Sequence, residues 1–287
     1  MHNKNYHIKL IEVIRWILSI AILIHAAGLF ATVFEMRQTQ FGNYLFMVMG
    51  MPHGDALFYE RITVSAFLFL CLVNLFHTRM YTLLPIAAYI LFEAWAGYYQ
   101  AAYRYSEFTL YAHVMRYMTP VVLVVLCTVP FRKILSEKAR LLSVEWLLRI
   151  SLAVLFFIHG LEAWLGHPVF ADLIIGSANN LAGVRITESM AVQIMKGIGI
   201  LDLIVVLGLL FKPLQGVLFW ALFWGALTAF SRITAIGSTA YIEVLLRASH
   251  ILAPFALWAI MYQPAWIVQA VPIQSLVSRG KKHQLST

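Results

Sequence analysis

The chain has 287 residues, 61% of them hydrophobic and only 12% charged, with a mean hydropathy of +0.79. Ordinary soluble domains carry about 25% charged residues, so the composition excludes a soluble enzyme and reads as a polytopic membrane protein. The formal charge of +8 does not point to nucleic acid, because the cations gather at the ends of apolar runs, where they set topology.

A spanning helix needs about 20 mostly apolar residues. Eight segments qualify, starting near Ile11, Leu57, Tyr81, Phe108, Glu145, Ala191, Leu214 and Tyr241. The first follows a basic start and outruns the roughly 7–15 apolar residues of a secretory signal, so it reads as a retained helix. Breakers mark the joints: Pro52 with Gly54, Pro130, Pro168, Pro213 and Gly237. Lys4 and Lys9, then Arg132, Lys133, Lys138 and Arg140, then Arg279, Lys281 and Lys282 crowd one side. The alternate connectors hold Arg37, Arg104, Arg185 and Arg232, mostly singly. The positive-inside rule therefore places both termini and the central connector in the cytoplasm.

The two halves resemble each other. "EVIRWILSIAILIHAAGLFA" lies over "EWLLRISLAVLFFIHGLEAW", pairing Arg15 with Arg149 and His25 with His159. "RITVSAFLFLCLVNLFHTRM" lies over "KGIGILDLIVVLGLLFKPLQ", pairing Arg61 with Lys196. "HVMRYMTP" lies over "RASHILAP", pairing Pro120 with Pro254. The pairings share nearly one offset. The expected fold is therefore all-α, with eight transmembrane helices as two parallel four-helix bundle repeats, residues 1–135 and 136–287. Each unit carries a long outer connector after its first helix, about Val33–Asp55 and Leu165–Met190, and long connectors are often functional.

Polar groups inside these runs are expensive and call for a job. His25 lies about 20 Å from the inner start of its helix, in the outer part of the bilayer core. His113 descends from the outer side to a similar height. The fourth helix reads His113-x-x-Arg116 and the eighth reads Arg247-x-x-His250, each pair on one helix face. Glu162 lies one turn after His159, and Glu243 one turn before Arg247. The expectation is a buried cluster in each unit, formed by its first-helix histidine and its fourth-helix pair. Tyr111, Tyr117, Trp164 and Tyr241 are candidate flat walls. Glu162 and Glu243 have no counterparts in the first unit, which favours the second.

Three functional readings stand beside the structural one, in which such groups merely bridge helices. The first is a quinone or similar lipophile site, where histidine exchanges hydrogen bonds and protons and arginine stabilises an anion. The second is haem b, held by His25 with His113 or by His159 with His250. The third is a proton or solute path through a transporter, with a non-redox scaffold as a further possibility. Arg15 and Arg149 read as lipid-headgroup or topology anchors. Glu93 and Asp202, without repeat partners, read as satisfied helix contacts. His53 with Asp55 reads as a helix start, and "FEAWAGYYQAAYRY" as an interfacial aromatic belt. There is no CxxC, HExxH, Walker loop or catalytic serine elbow, and no metal site is expected.

"LLRISLAVLFFIHGLEAWLGHPVF" resembles the first helix and turn of DoxX-like membrane proteins, and "KGIGILDLIVVLGLLFKP" resembles their second helix. The resemblance covers most of residues 145–263, and the first half joins it mainly through the internal repeat. It implies a fused pair of four-helix units in the plasma (inner) membrane. It also implies an integral subunit of a quinone-linked redox system, with a membrane or peripheral redox protein as partner. The thiol-handling relatives' cysteine pairs are absent, because the chain has only Cys71 and Cys127.

Overall fold

The computed structural model describes residues 2–100 and 106–264. Arg104, Arg279, Lys281, Lys282 and His283 lie outside the described residues, as do the side chains of His2 and Lys4. No strand occurs among the described residues.

Among the described residues, six helices are long and apolar enough to cross a membrane. They are α1 (His2–Phe34), α3 (His53–Phe76), α4 (Met80–Gln100), α8 (Glu137–Trp164), α10 (Glu188–Phe211) and α11 (Gln215–Ile236). The expected fourth and eighth segments are broken. The fourth is a 3-10 turn (Ser106–Phe108), α5 (Thr109–Ala112) and α6 (Val114–Cys127). The eighth is a 3-10 turn (Ser238–Ala240), α12 (Tyr241–Leu245) and α13 (Ala248–Tyr262), bent by 47°, and makes a seventh span if taken as one. Both long connectors are helical. One holds α2 (Gln40–Asn43) and a π-helical turn (Tyr44–Val48), the other α9 (Pro168–Ala182). A short α7 (Val129–Ile134) joins the halves. His53 and Asp55 do open α3, with Asp55 in its first turn.

Four helices form the centre: α1, α6, α8 and α13. Leu18 and Ile22 of α1, Leu123 of α6, Leu148 and Leu152 of α8 and Leu257 of α13 are fully or almost fully buried in one apolar cluster. The packing is reciprocal. α1 lies on α3 as α8 lies on α10, and α4 lies on α6 as α11 lies on α13. α1 also lies on α13 and α8 on α6, so each half packs its first helix on the other half's last helix. The halves interlock rather than stand apart.

Arg15 and Arg149 are corrected by this geometry. Both are buried, at 2% and 7% exposure, with their guanidinium groups turned to protein partners. Arg15 Nη1 donates to the Leu75 carbonyl at the end of α3 (2.8 Å). Arg149 donates to Leu209 O (2.8 Å) and Leu210 O (2.7 Å) at the end of α10. Each also pairs with a glutamate of its own helix, Glu12 or Glu145, and lies over a tryptophan ring. A helix end leaves its last carbonyls without partners and carries a partial negative charge, so a buried guanidinium there satisfies both needs. Arg149→Ala is expected to lower stability by about 3–5 kcal/mol, since it strands Glu145 and two carbonyls. Thermal unfolding in mild detergent measures it.

Candidate functional site: a cavity in the second half beside a shared polar cluster

The breaks in the fourth and eighth segments fall at His113 and Arg247, which share dihedral angles near φ −100°, ψ +10°. Each is followed by a bond to the carbonyl three residues back, Arg116 N to His113 O and His250 N to Arg247 O (both 2.9 Å). A break frees carbonyls that need partners inside the bundle. Arg247 Nη1 donates to Glu243 O (2.8 Å) and to the Glu243 carboxylate (2.6 Å). His25, reaching from the other half, bonds Leu246 O through Nδ1 (3.0 Å). Gly28 makes that reach possible, because a Cβ there would meet Leu245 Cβ at 3.0 Å and Leu246 N at 3.2 Å.

The two expected clusters are therefore one. His113 lies within electrostatic range of Arg116, Arg247, His159 and His25, and His250 within range of Arg116, His159, Arg247 and His113. The His159 and His250 ring centroids are 6.1 Å apart. Glu243 also approaches Arg232 of α11, at 3.9 Å. The separate-unit expectation fails because each first helix packs on the opposite unit's last helix, bringing both polar patches to the shared centre.

His159 differs from its twin. Its Nδ1 is engaged by Glu162 at 2.9 Å instead of by a backbone carbonyl. The position matching Glu162 in the first half is Gly28, the residue that admits the broken helix to His25. A single exchange, glycine for glutamate, thus converts a histidine that caps a helix break into one held by a carboxylate. A carboxylate on one ring nitrogen fixes the ring and leaves the other nitrogen to face outward. His159 keeps 32% of its side chain accessible, whereas Glu162 beneath it keeps 8%.

What His159 faces is a cavity of about 390 Å³ bounded by α8, α9, α10, α11 and α13, all in the second half. Phe156, Phe170, Trp224 and Phe230 supply aromatic walls, and His159, Asp202, Arg232, Arg247 and His250 supply the polar groups. Tyr111, Tyr117, Trp164 and Tyr241 do not line it, and Tyr111, Trp164 and Tyr241 are exposed. Tyr117 instead packs, partly buried, against the central apolar cluster. Of the expected site residues, His159, Arg247 and His250 line the cavity. His25, His113, Arg116, Glu162 and Glu243 stand behind or beside it.

The connector helix α9 closes one side. It is flanked by Gly166 (φ +78°) and Gly183 (φ +64°), backbone conformations that glycine adopts at little cost. His167 caps it, accepting from Val169 N at 3.3 Å, and partial burial lowers its affinity for a proton. Asn180 and Ser177 tie α9 to the end of α11.

The matching space in the first half is filled. Phe67, at the position of Asp202, packs on Tyr89 (ring centroids 4.6 Å apart), and Phe41 of α2 lies edge-on to the same ring. Glu93 accepts from Thr39 Oγ1 (3.0 Å), Tyr89 OH (3.0 Å) and the Gln40 and Phe41 amides, so it is the satisfied contact expected of it. Asp202 is not. It is 2% exposed, lines the cavity, and its Oδ1 has no hydrogen-bond partner. The sequence carried a signal for it. The lack of a first-half counterpart, which singled out Glu162, holds for Asp202 equally.

No family model, no curated protein and no solved structure matches this chain.

Proposed function

We propose that the protein binds a lipophile with a polar head, a quinone first among them, in the second-half cavity, as the integral membrane subunit of a redox system. The observation that carries the reading is an apolar, aromatic-walled cavity whose lining includes two histidines, two arginines and an aspartate. Sites for small apolar ligands have this form, mostly greasy walls with a few convergent polar groups. The residues fit a quinone head: Arg247, Arg232 and the histidine rings offer donors for carbonyl oxygens, and the aromatic rings offer flat faces. A bound quinone would supply two-electron, two-proton chemistry, and a partner protein would supply the redox centre.

The same proposal takes the chain as a DoxX-like pair of parallel four-helix units, 1–135 and 136–287, with eight spans in the plasma membrane. The matched Arg15 and Arg149 caps, the matched breaks at His113 and Arg247 and the reciprocal helix packing support the duplication. The DoxX-like resemblance rests on the sequence motifs alone. Charge placement puts the termini in the cytoplasm. Cysteines introduced singly at Lys138 and Asn179 check this with an impermeant maleimide on intact cells. Asn179→Cys is expected to label and Lys138→Cys to stay protected until the membrane is opened.

Binding is tested on the purified chain in nanodiscs with a short-tailed benzoquinone, alongside extraction and identification of co-purified lipophiles. Saturable binding lost in His250→Ala supports the proposal, and a folded protein that binds no quinone overturns it. A Soret band in the purified protein would favour haem held by the same histidines, and solute flux in proteoliposomes would favour transport.

A further inference from the structure

Two groups lining the cavity keep a buried polar atom without a hydrogen-bond partner among the described residues, Asp202 Oδ1 and His250 Nε2, and of the two only Asp202 stands where the first half has an apolar residue. Its Cβ sits against Gly160, where an added methyl group would come within 2.9 Å, so the α8–α10 crossing is shaped to admit it. No cation pairs with it among the described residues. A buried polar atom without a partner costs about 1–3 kcal/mol. Helix packing does not demand that cost, since Phe67 fills the matching place in the first half with an apolar ring.

The two arginines of the cavity lining are of the opposite kind. Arg232 and Arg247 are donors only, already held by Thr228 O and by Glu243. They call for an acceptor on the ligand. A carboxylate calls for a donor, and a carboxylic acid can pair with a group that both donates and accepts. A hydroxyl meets Asp202 in either protonation state, whereas a carbonyl oxygen meets only the acid.

We propose that the cavity selects a hydroxyl-bearing head, a hydroquinone or related phenol, with its O–H donating to Asp202 and its other oxygen facing the arginines. This rests on the lipophile-binding reading above and specifies which form of the lipophile the site holds. Asp202 is then a ligand-contacting residue that reads oxidation state through a single proton.

The test uses the full chain in nanodiscs and one decyl-tailed benzoquinone, offered oxidised and, under anaerobic reducing conditions, as its hydroquinone. The native protein is expected to bind the hydroquinone about tenfold more tightly, the worth of one hydrogen bond. Asp202→Asn, whose amide both donates and accepts, is expected to bring the two affinities together. Asp202→Leu is expected to weaken the hydroquinone alone, with a thermal melt confirming that the variant folds. Equal affinities in the native protein, or a preference for the quinone, overturn the proposal while leaving lipophile binding intact. Unchanged selectivity in a folded Asp202→Leu variant also overturns it, and means that water alone satisfies the carboxyl. Binding of neither form to the folded native protein defeats the underlying reading instead.

Discussion

Exchange of His159 for alanine is expected to weaken lipophile binding by about 10–100-fold, while exchange of its twin His25 leaves binding within a few-fold of the native value. The two residues occupy matching places and sit in one polar cluster, so chemistry by residue type would treat them alike. Their partners separate them. His25 is 3% exposed and spends Nδ1 on Leu246 O. Removing it leaves a buried carbonyl unsatisfied at the helix break, a stability loss of about 1–3 kcal/mol. His159 spends Nδ1 on Glu162 and turns its ring toward the cavity wall. Removing it takes away a ligand contact and leaves Glu162 buried with no partner. The pair of variants is read by two measurements, a melting curve and a quinone titration. Equal loss of binding in both would mean that the cluster acts as one unit and that the cavity is not the site.

Gly225→Ala is expected to be the most damaging small substitution in the second half, at about 3 kcal/mol or more. An added Cβ there would lie 2.4 Å from the His250 carbonyl oxygen and 3.0 Å from its carbonyl carbon. Both are backbone atoms of α13, so no side chain can rotate away and the helices must part. Small residues at such crossings let membrane helices approach closely. Here the approach also sets the position of His250 on the cavity floor. Loss of binding should accompany the loss of stability. Gly216→Ala, with open space around it on the same helix, is the matched control and is expected to change little. A stable Gly225→Ala variant with native binding would show that α11 and α13 are not held at this distance.

Much of this was legible in the chain. Apolar runs of spanning length and the placement of Pro and Gly located the helices, because burial in lipid or in a bundle demands apolar side chains along the whole element. Arg15 and Arg149, paired in the sequence alignment of the halves, each donate to carbonyls at a helix end. The repeat did not predict what they bind, because the carbonyls of Leu75 and of Leu209 and Leu210 lie about 60 residues further along the chain. The aromatic walls were missed for a related reason. Phe156, Phe170, Trp224 and Phe230 come from three helices, α8, α9 and α11, and look like ordinary core or lipid-facing residues in each.

The sequence by itself determined that this is a helical, membrane-type chain whose polar residues recur at matching positions in two halves, because hydropathy and periodicity are properties of local runs. Only the tertiary structure decided that the two polar patches merge, that aromatic rings fill the second-helix crossing of the first half and that a cavity opens at that of the second. Those outcomes depend on what each helix meets across the interface: a glycine or a glutamate beside the first-helix histidine, a phenylalanine or an aspartate at the second-helix crossing. Each such choice is one residue in the sequence, and its meaning is set by the partner it finds in space.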